Sequence, residues 1–337
     1  MIQKTEILIV GGGIWGLSTA YHLAQLGQKQ VCVLERNPEI AAETTPQAAG
    51  LVGQIRSTRV MMGAIKYALE LFSQFEHDVG LHQTGSLLIA LTPERMAAYE
   101  KQIESAHQNG VEADFVSHAE LARLAPAINI SKVEGGYFVP QDGYLHPLQC
   151  AQAYAAMAKE LGAKIELGVR VTGIRVRGDT VVGVETERGF VEANQVVITA
   201  GPWGGILSKQ VGFSAAMQPI RHQRVRTVPV DGIPAHHPVV RVTDISCYVR
   251  PDKGGYLYGF FEPHPVSIDL EAMPEDFGTK DLQPPVEVMV EAQTRLAPIF
   301  PILQDLEIAE RKQGITTFSP DGSYLIGPVP EIANLFL

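Results

Sequence analysis

The chain is poor in cysteine and in basic charge, and it lacks any long apolar run. Each shortage removes a class of function. Only three cysteines, Cys32, Cys150 and Cys247, are scattered through 337 residues. There is no C-x-x-C pair and no Cys/His cluster, so neither a disulfide framework nor a metal site is expected, and the three read as small apolar filler in a reducing compartment. Lysine and arginine number 27 against 37 acids, a net charge of −10 with no basic run. Nucleic acid and anionic membranes are therefore not expected partners. No stretch reaches the length of a membrane span. Only Met1–Thr5 precede the first strand, too few for a cleavable leader, so a cytoplasmic location is expected. Repeats and low-complexity tracts are missing as well. The remaining composition, 45% hydrophobic and 19% charged, suits one large or two interleaved domains around a substantial core.

Glycine supplies the positive signal. In Ile7-Leu-Ile-Val-Gly-Gly-Gly-Ile-Trp-Gly16, residues Gly11, Gly13 and Gly16 keep the G-x-G-x-x-G spacing of a strand–turn–helix phosphate cradle that also contains Ile14 and Trp15. Gly11 permits the tight turn, Gly13 lets backbone approach a pyrophosphate, and Gly16 lets helix pack on strand. The helix start then favours the negative charge. A purely structural glycine turn is the alternative, but the context opposes it. An apolar strand (Glu6–Val10) precedes the turn, and a helix with Ile14, Leu17, Tyr21 and Ala24 on one face follows, stopped by Gly27. Glu35, followed by Arg36, closes a second strand, Val31–Glu35, where a carboxylate can accept from ribose hydroxyls. An acid at 35 disfavours a 2′-phosphate and leaves FAD or NAD ahead of NADP.

Beyond this βαβ unit, helices are expected over 60–78, 93–109 (capped by Thr92, with Pro93 in the first turn) and 147–162. Strands are expected at Gly85–Leu91, Lys164–Leu167, Arg170–Arg177, Val181–Glu187 and Gly189–Ala193. Gln195–Ala200 reads as an apolar strand beside the first, which places Ala200, Gly201 and Trp203 at a ligand-facing carboxyl end. An ordinary strand–helix turn is the alternative there. From Met217 to about Ile315, strands at Arg221–Val228, Val239–Val242, Ser246–Arg250 and Tyr256–Phe261, with a helix inside Pro284–Pro301, indicate an antiparallel sheet. The last stretch returns through a turn at Pro320-Asp-Gly322 and begins a strand at Asn334. The expected class is α/β. A Rossmann-like nucleotide domain (1–85, 146–214, 315–337) is interleaved with an α+β substrate domain (86–145, 215–314) that contains the antiparallel sheet.

Several stretches together carry a family likeness: Ile9–Ala24, Thr45–Arg56, Asp142-Gly-Tyr-Leu-His-Pro147, Val196–Trp203, Arg221-His-Gln223 with Tyr248-Val-Arg250, and the closing Phe318–Pro328. On these residues the chain resembles FAD-dependent amine oxidoreductases of the D-amino-acid oxidase superfamily, above all the flavin domains of dimethylglycine and sarcosine dehydrogenases or oxidases. The resemblance implies FAD rather than NAD. The lack of a second G-x-G-x-x-G turn also counts against hydride arriving from a pyridine nucleotide. The small-residue loop Thr44–Gly53 is where the family passes along the flavin, which assigns Thr44, Thr45, Gln47, Ala48, Ala49, Gly50 and Leu51 to the cofactor. Val171 matches the family's backbone contact to adenine. Gln47 stands where several relatives carry a histidine joined to the flavin, so FAD is expected to be non-covalent. Relatives continue past the strand at Asn334 into a glycine-rich turn and helix over the flavin ring, and some carry a folate-binding extension. The expectation here is a fragment, a partner chain that completes the flavin site, or a protein that binds flavin poorly.

The implied reaction oxidises a secondary or tertiary amine bearing a carboxylate, such as sarcosine or dimethylglycine. Hydride goes to flavin N5, the iminium hydrolyses, and oxygen or an electron carrier is the final acceptor. His222 matches a family histidine near the substrate and titrates near neutrality; a strand histidine bonded within the sheet is the alternative. Tyr248 is the candidate hydrogen-bonding phenol, with Tyr256 and Tyr258 in competition. Arg250 shares its strand face and offers a fork to the carboxylate, as does Arg56, although either can instead be an ordinary ion pair. His146 reads as a helix cap, and His236 and His237 as solvent-facing. Two other functions stay open: a non-catalytic flavin-fold subunit acting through a partner, and an NAD-dependent dehydrogenase supported only by the first fifty residues.

Overall fold

The computed structural model describes residues 2–283 and 285–337. The chain opens with β1 (Lys4–Val10), α1 (Ile14–Gln25) and β2 (Val31–Glu35). β1 and β2 are parallel, with Ile7 opposite Val31 and Val10 opposite Leu34. Val31–Glu35 is buried at every position, as a strand covered on both faces of a parallel sheet requires. A seven-stranded sheet runs in the order Lys164–Leu167, β2, β1, Gly189–Ile198, Thr180–Thr186, Val171–Arg177. Leu335–Phe336 pairs with the end of Gly189–Ile198. The sequence suggested two strands between Gly189 and Ala200, but there is one. Asn194 and Gln195, which interrupt the apolar pattern, keep exposed side chains while Gln195 pairs through its backbone with Ile7. α1 packs on the helix Pro147–Glu160 through Ala20 and Ala24 against Ala151, Ala155 and Ala158, small side chains that let two helices approach closely.

The second sheet has eight strands, in the order Ile308–Phe318, Gln218–Thr227, Gly255–Phe260, Cys247–Asp252, Val239–Val242, Ser86–Ala90, Gly135–Val139, Asp114–Phe115. All neighbours are antiparallel except Val239–Val242 with Ser86–Ala90. Among the elements not foreseen are Gly135–Val139, the helix His118–Leu124, and Ile308–Phe318. The last carries Glu310, Arg311, Lys312 and Gln313 in mid-strand, which hides it from an apolar-pattern reading. The helix expected from Pro284 is Val286–Leu296; Pro284 itself lies outside the described residues.

The two faces of this sheet differ in chemistry, following the period-two alternation of side chains. On one face Val225, Val249, Tyr256, Tyr258 and Phe260 pack against Met289, Ala292 and Leu296 of the helix. The alternate residues, His222, Arg224, Arg226, Arg241, Tyr248, Arg250 and Asp252, project from the other face toward the loop after β2, whose carbonyls Arg224 and Arg250 reach. Among the described residues, no helix is long and apolar enough to cross a membrane and no His/Cys/Asp/Glu group is arranged to hold a metal. All three cysteines are buried, and burial pushes each thiol up to about 12.

Candidate functional site

The site begins at the β1–α1 turn. Gly11 sits at φ +112°, and a Cβ there would lie 2.6 Å from Thr199 O. A Cβ at Gly16 would overlap Gly11 O, so helix and strand meet at a distance only glycine allows. Gly13 caps α1 without a side-chain bond, and Ile14 N–H donates to Thr45 Oγ1 at 3.2 Å. The N–H groups of Gly13, Trp15 and Gly16 take no partner among the described residues. Thr199 N–H and Oγ1 donate to Val10 O at 2.9 and 3.0 Å, fastening the end of Gly189–Ile198, and with it Ala200 and Gly201, beside the turn.

Glu35 is buried at the end of β2. Its Oε2 accepts Gly12 N–H at 2.7 Å, and Oε1 accepts the N–H and Nδ2 of Asn37 at 2.8 and 2.9 Å. It therefore first fixes the shape of the turn, and Oε2 keeps capacity for a further hydroxyl donor. Arg36 lies 4.0 Å over the Trp203 ring and donates to Glu43 Oε1 at 2.7 Å. Burial opposes the charge on Glu43, but the Thr279 N–H and Arg36 together outweigh it and hold the carboxyl below the usual range. Val169 N–H donates to Glu35 O, which brings the start of Val171–Arg177 to the same end of β2.

From here the chain runs through a short 3-10 turn, Thr45–Gln47, into the small-residue loop. Thr44 Oγ1 donates to Ile315 O at 3.0 Å, and a Cβ on Gly314 would meet Gln47 Cβ at 3.1 Å. Gly314 is the strand partner of His222, so Gln47 and His222 are brought to one place. Arg224 Nε donates to Gln47 O at 2.8 Å, and Arg250 Nε to Ala49 O at 2.8 Å. Gly50 turns the chain at φ +70°, and Leu51–Val52 pairs with Gly143–Tyr144.

His222 stacks on Phe261, with ring centroids 4.6 Å apart and planes 13° apart, and stands 6.5 Å from the Tyr248 ring. Its imidazole has no hydrogen-bond partner among the described residues, and burial pushes it down to about 4, so the ring is neutral near physiological pH. Tyr248 lies across Gly259 of the neighbouring strand, where any Cβ would strike the phenol. Burial pushes that phenol up to about 12 against the pull of Arg224 and Arg250. The competing Tyr256 and Tyr258 belong to the apolar core on the opposite face.

The structure places Arg250 and corrects the expectation for His237. Arg250 is only 2% exposed; its Nε donates to Ala49 O and its Nη1 to Pro251 O and Asp252 Oδ1, while its guanidinium covers the Tyr144 ring. The first of these bonds ties it to the loop after β2. His237 is fully buried rather than solvent-facing: Nδ1 bonds to Pro238 O and the ring sits edge-on to Tyr256. His146 occupies the helix cap position but makes no side-chain cap bond.

The family description "FAD dependent oxidoreductase" matches residues 6–337. The chain belongs to this family. It is 31% identical to 4-methylaminobutanoate oxidase (formaldehyde-forming) of Paenarthrobacter nicotinovorans, over 98% of this chain and 40% of that protein. Human mitochondrial dimethylglycine dehydrogenase is 30% identical over 99% of this chain and 40% of that protein. Mouse mitochondrial pyruvate dehydrogenase phosphatase regulatory subunit is 28% identical over 99% and 39%. The chain thus spans about 40% of the length of the first of these relatives. Among solved structures, L-proline dehydrogenase from P. horikoshii superposes with a TM-score of 0.88 at 25% identity, covering 100% of this chain and 87% of that one.

The geometry fits the family's cofactor: a glycine-only turn, unpartnered N–H groups at a helix start and a carboxylate at the end of β2 suit the diphosphate and ribose of FAD. Sequence reasoning passed over Gly12, Asn37, Thr199, Arg224 and Arg241. Gly12 and Asn37 were legible, since both flank the Gly11–Gly13 and Glu35 signals; the others depend on strand register.

Proposed function

We propose that the chain oxidises the secondary or tertiary amine of a small N-methyl amino acid with non-covalently held FAD. The observation that carries this reading is the neutral, unpartnered His222 imidazole, set against Phe261 and Tyr248 beside the loop that leads from the nucleotide cradle. When bound, FAD supplies the two-electron acceptor for the hydride on the carbon next to nitrogen. Neutral His222 accepts the N–H of a secondary amine, and the same burial that keeps the ring uncharged favours the free-base form of the amine. Tyr248, protonated, donates a hydrogen bond, and the rings of Phe261 and Tyr248 exclude water. Gln47 forms no covalent bond to the flavin.

The cation assigned to the carboxylate is Arg241 rather than Arg250. Arg241 pairs with Tyr248 across the strands, lies below Gly53, and its buried Nε has no hydrogen-bond partner. Burial and the nearby Arg56 lower its pKa, Asp142 opposes this, and it stays protonated. The reading includes a partner chain over the cofactor side: Trp15, at the cradle, meets Tyr324 edge-on, and both are about half exposed, at 51% and 52%. Oxygen or an electron carrier is the final acceptor.

The test is formaldehyde release from 4-methylaminobutanoate, dimethylglycine and sarcosine by FAD-reconstituted protein with an artificial electron acceptor. Release from at least one is expected. Retained FAD with no turnover of any would favour a non-catalytic flavin-fold subunit. Glu35→Ala should weaken FAD binding by about tenfold or more, since it removes charge-assisted bonds to Gly12 and Asn37 as well as the ribose acceptor. An unchanged FAD dissociation constant would contradict both roles of Glu35.

A further inference from the structure

We propose that Arg224 and Arg250 are positioning residues for the cofactor: from the second sheet Arg224 holds the carbonyls of Pro46 and Gln47 and so fixes the 3-10 turn, whose Gln47 and Ala48 N–H groups bond to Thr44 O and Thr45 O, while Arg250 holds Ala49 O and so turns the free Gly50 N–H toward the flavin. The inference rests on FAD occupying the site proposed above. Arg224 donates from Nε to Gln47 O at 2.8 Å and from a terminal nitrogen to Pro46 O at 3.3 Å, and Arg250 Nε donates to Ala49 O at 2.8 Å. In a planar trans peptide the C=O and N–H point in opposite directions. With Ala49 O drawn to the sheet, Gly50 N–H is turned to the opposite side. Neither Ala49 N–H nor Gly50 N–H has a partner among the described residues. Gly50, at φ +70°, then reverses the chain into its pairing with Gly143–Tyr144, so the turned peptide is fixed at both ends.

The two arginines are themselves held by one partly buried chain of charges. Arg250 meets Asp252 at 3.1 Å, Asp252 meets Arg226 at 3.5 Å, Arg226 meets Glu310 at 3.8 Å, and Glu310 meets Arg224 at 3.3 Å. Tyr144 caps Arg250, with the guanidinium 4.4 Å from the ring centre, and His82 stacks on Tyr144 at 4.8 Å. Arg226 is the internal control. It belongs to the same network but bonds to no carbonyl of the loop.

The experiment compares Arg250→Met, Arg224→Met and Arg226→Met in the full chain. It measures the FAD dissociation constant, the visible circular dichroism of bound FAD and the melting temperature of the FAD-free protein. The two loop-bonded variants are expected to lose about tenfold or more in FAD affinity and to alter the flavin dichroism. Arg226→Met should lower the melting temperature while keeping affinity within about threefold. Arg224→Lys should recover part of the loss. If Arg250→Met does not fold, Arg224→Met alone carries the comparison. Wild-type affinity and dichroism in Arg224→Met, or an equal affinity loss in Arg226→Met, would overturn the proposal. Wild-type protein that binds no FAD would instead overturn the function reading on which it rests.

Discussion

Gly16→Ala is expected to abolish FAD retention and to destabilise the protein by more than about 2 kcal/mol. The added methyl has nowhere to go. It would overlap Gly11 O, and Thr199 Oγ1 stands 2.8 Å away. Gly11 cannot retreat, because its own N–H is tied to Leu34 O at 2.8 Å and Thr199 is fastened to Val10. Relief requires α1 to move off β1, which would open the alanine contacts with Pro147–Glu160 and shift the N–H groups of Gly13, Trp15 and Gly16. Stability and cofactor binding should therefore fall together. Denaturant unfolding of the FAD-free protein checks the first, and flavin content after desalting checks the second. A variant with wild-type stability and full flavin content would mean that the turn is not packed as described.

The second large effect concerns His222. On the proposed function, His222→Ala should slow flavin reduction by about a hundredfold or more while FAD stays bound, because the role proposed for the imidazole is at the amine and it makes no bond to the cradle. The lowered pKa adds a pH signature. With the ring at about 4 in the folded protein against an ordinary 6.5, the unfolded chain binds more protons between those values. Stability should then fall as pH drops through 6.5, with the loss complete near pH 4 and amounting to ~3 kcal/mol at most. His222→Phe should lack this contribution, which unfolding curves at pH 7 and pH 5 would reveal. Likewise, flavin reduction by the wild-type protein should show no enzyme transition near 6.5. A clear transition there that vanishes in His222→Ala would contradict the buried, neutral imidazole.

How much could be read in advance follows from how local each signal is. The cradle was legible because Gly11, Gly13, Gly16 and Glu35 lie on one βαβ unit whose spacing fixes their relations. Strand alternation also placed Tyr248 and Arg250 on one face, as observed. It could not say what stands above that face. Arg250 finds Ala49 O from 201 positions away, a pairing that no local pattern announces. The choice of Tyr248 over Tyr256 and Tyr258 likewise depends on which face the helix Val286–Leu296 covers. Arg241 gave no sequence signal at all, since the role proposed for it rests on the cross-strand position beside Tyr248 and on the lack of a partner for Nε among the described residues. His237 misled because a proline-bounded segment suggests an exposed loop, whereas here it folds back onto Tyr256.

The most direct test of the account is the visible spectrum of FAD-reconstituted, desalted protein before and after anaerobic addition of an N-methyl amino acid, with 4-methylaminobutanoate, dimethylglycine and sarcosine each tried. The account predicts flavin bands that survive desalting and bleach with at least one of the three amines. Bands that survive but stay unbleached with all three would contradict amine oxidation, and loss of the flavin on desalting would contradict the cofactor site itself.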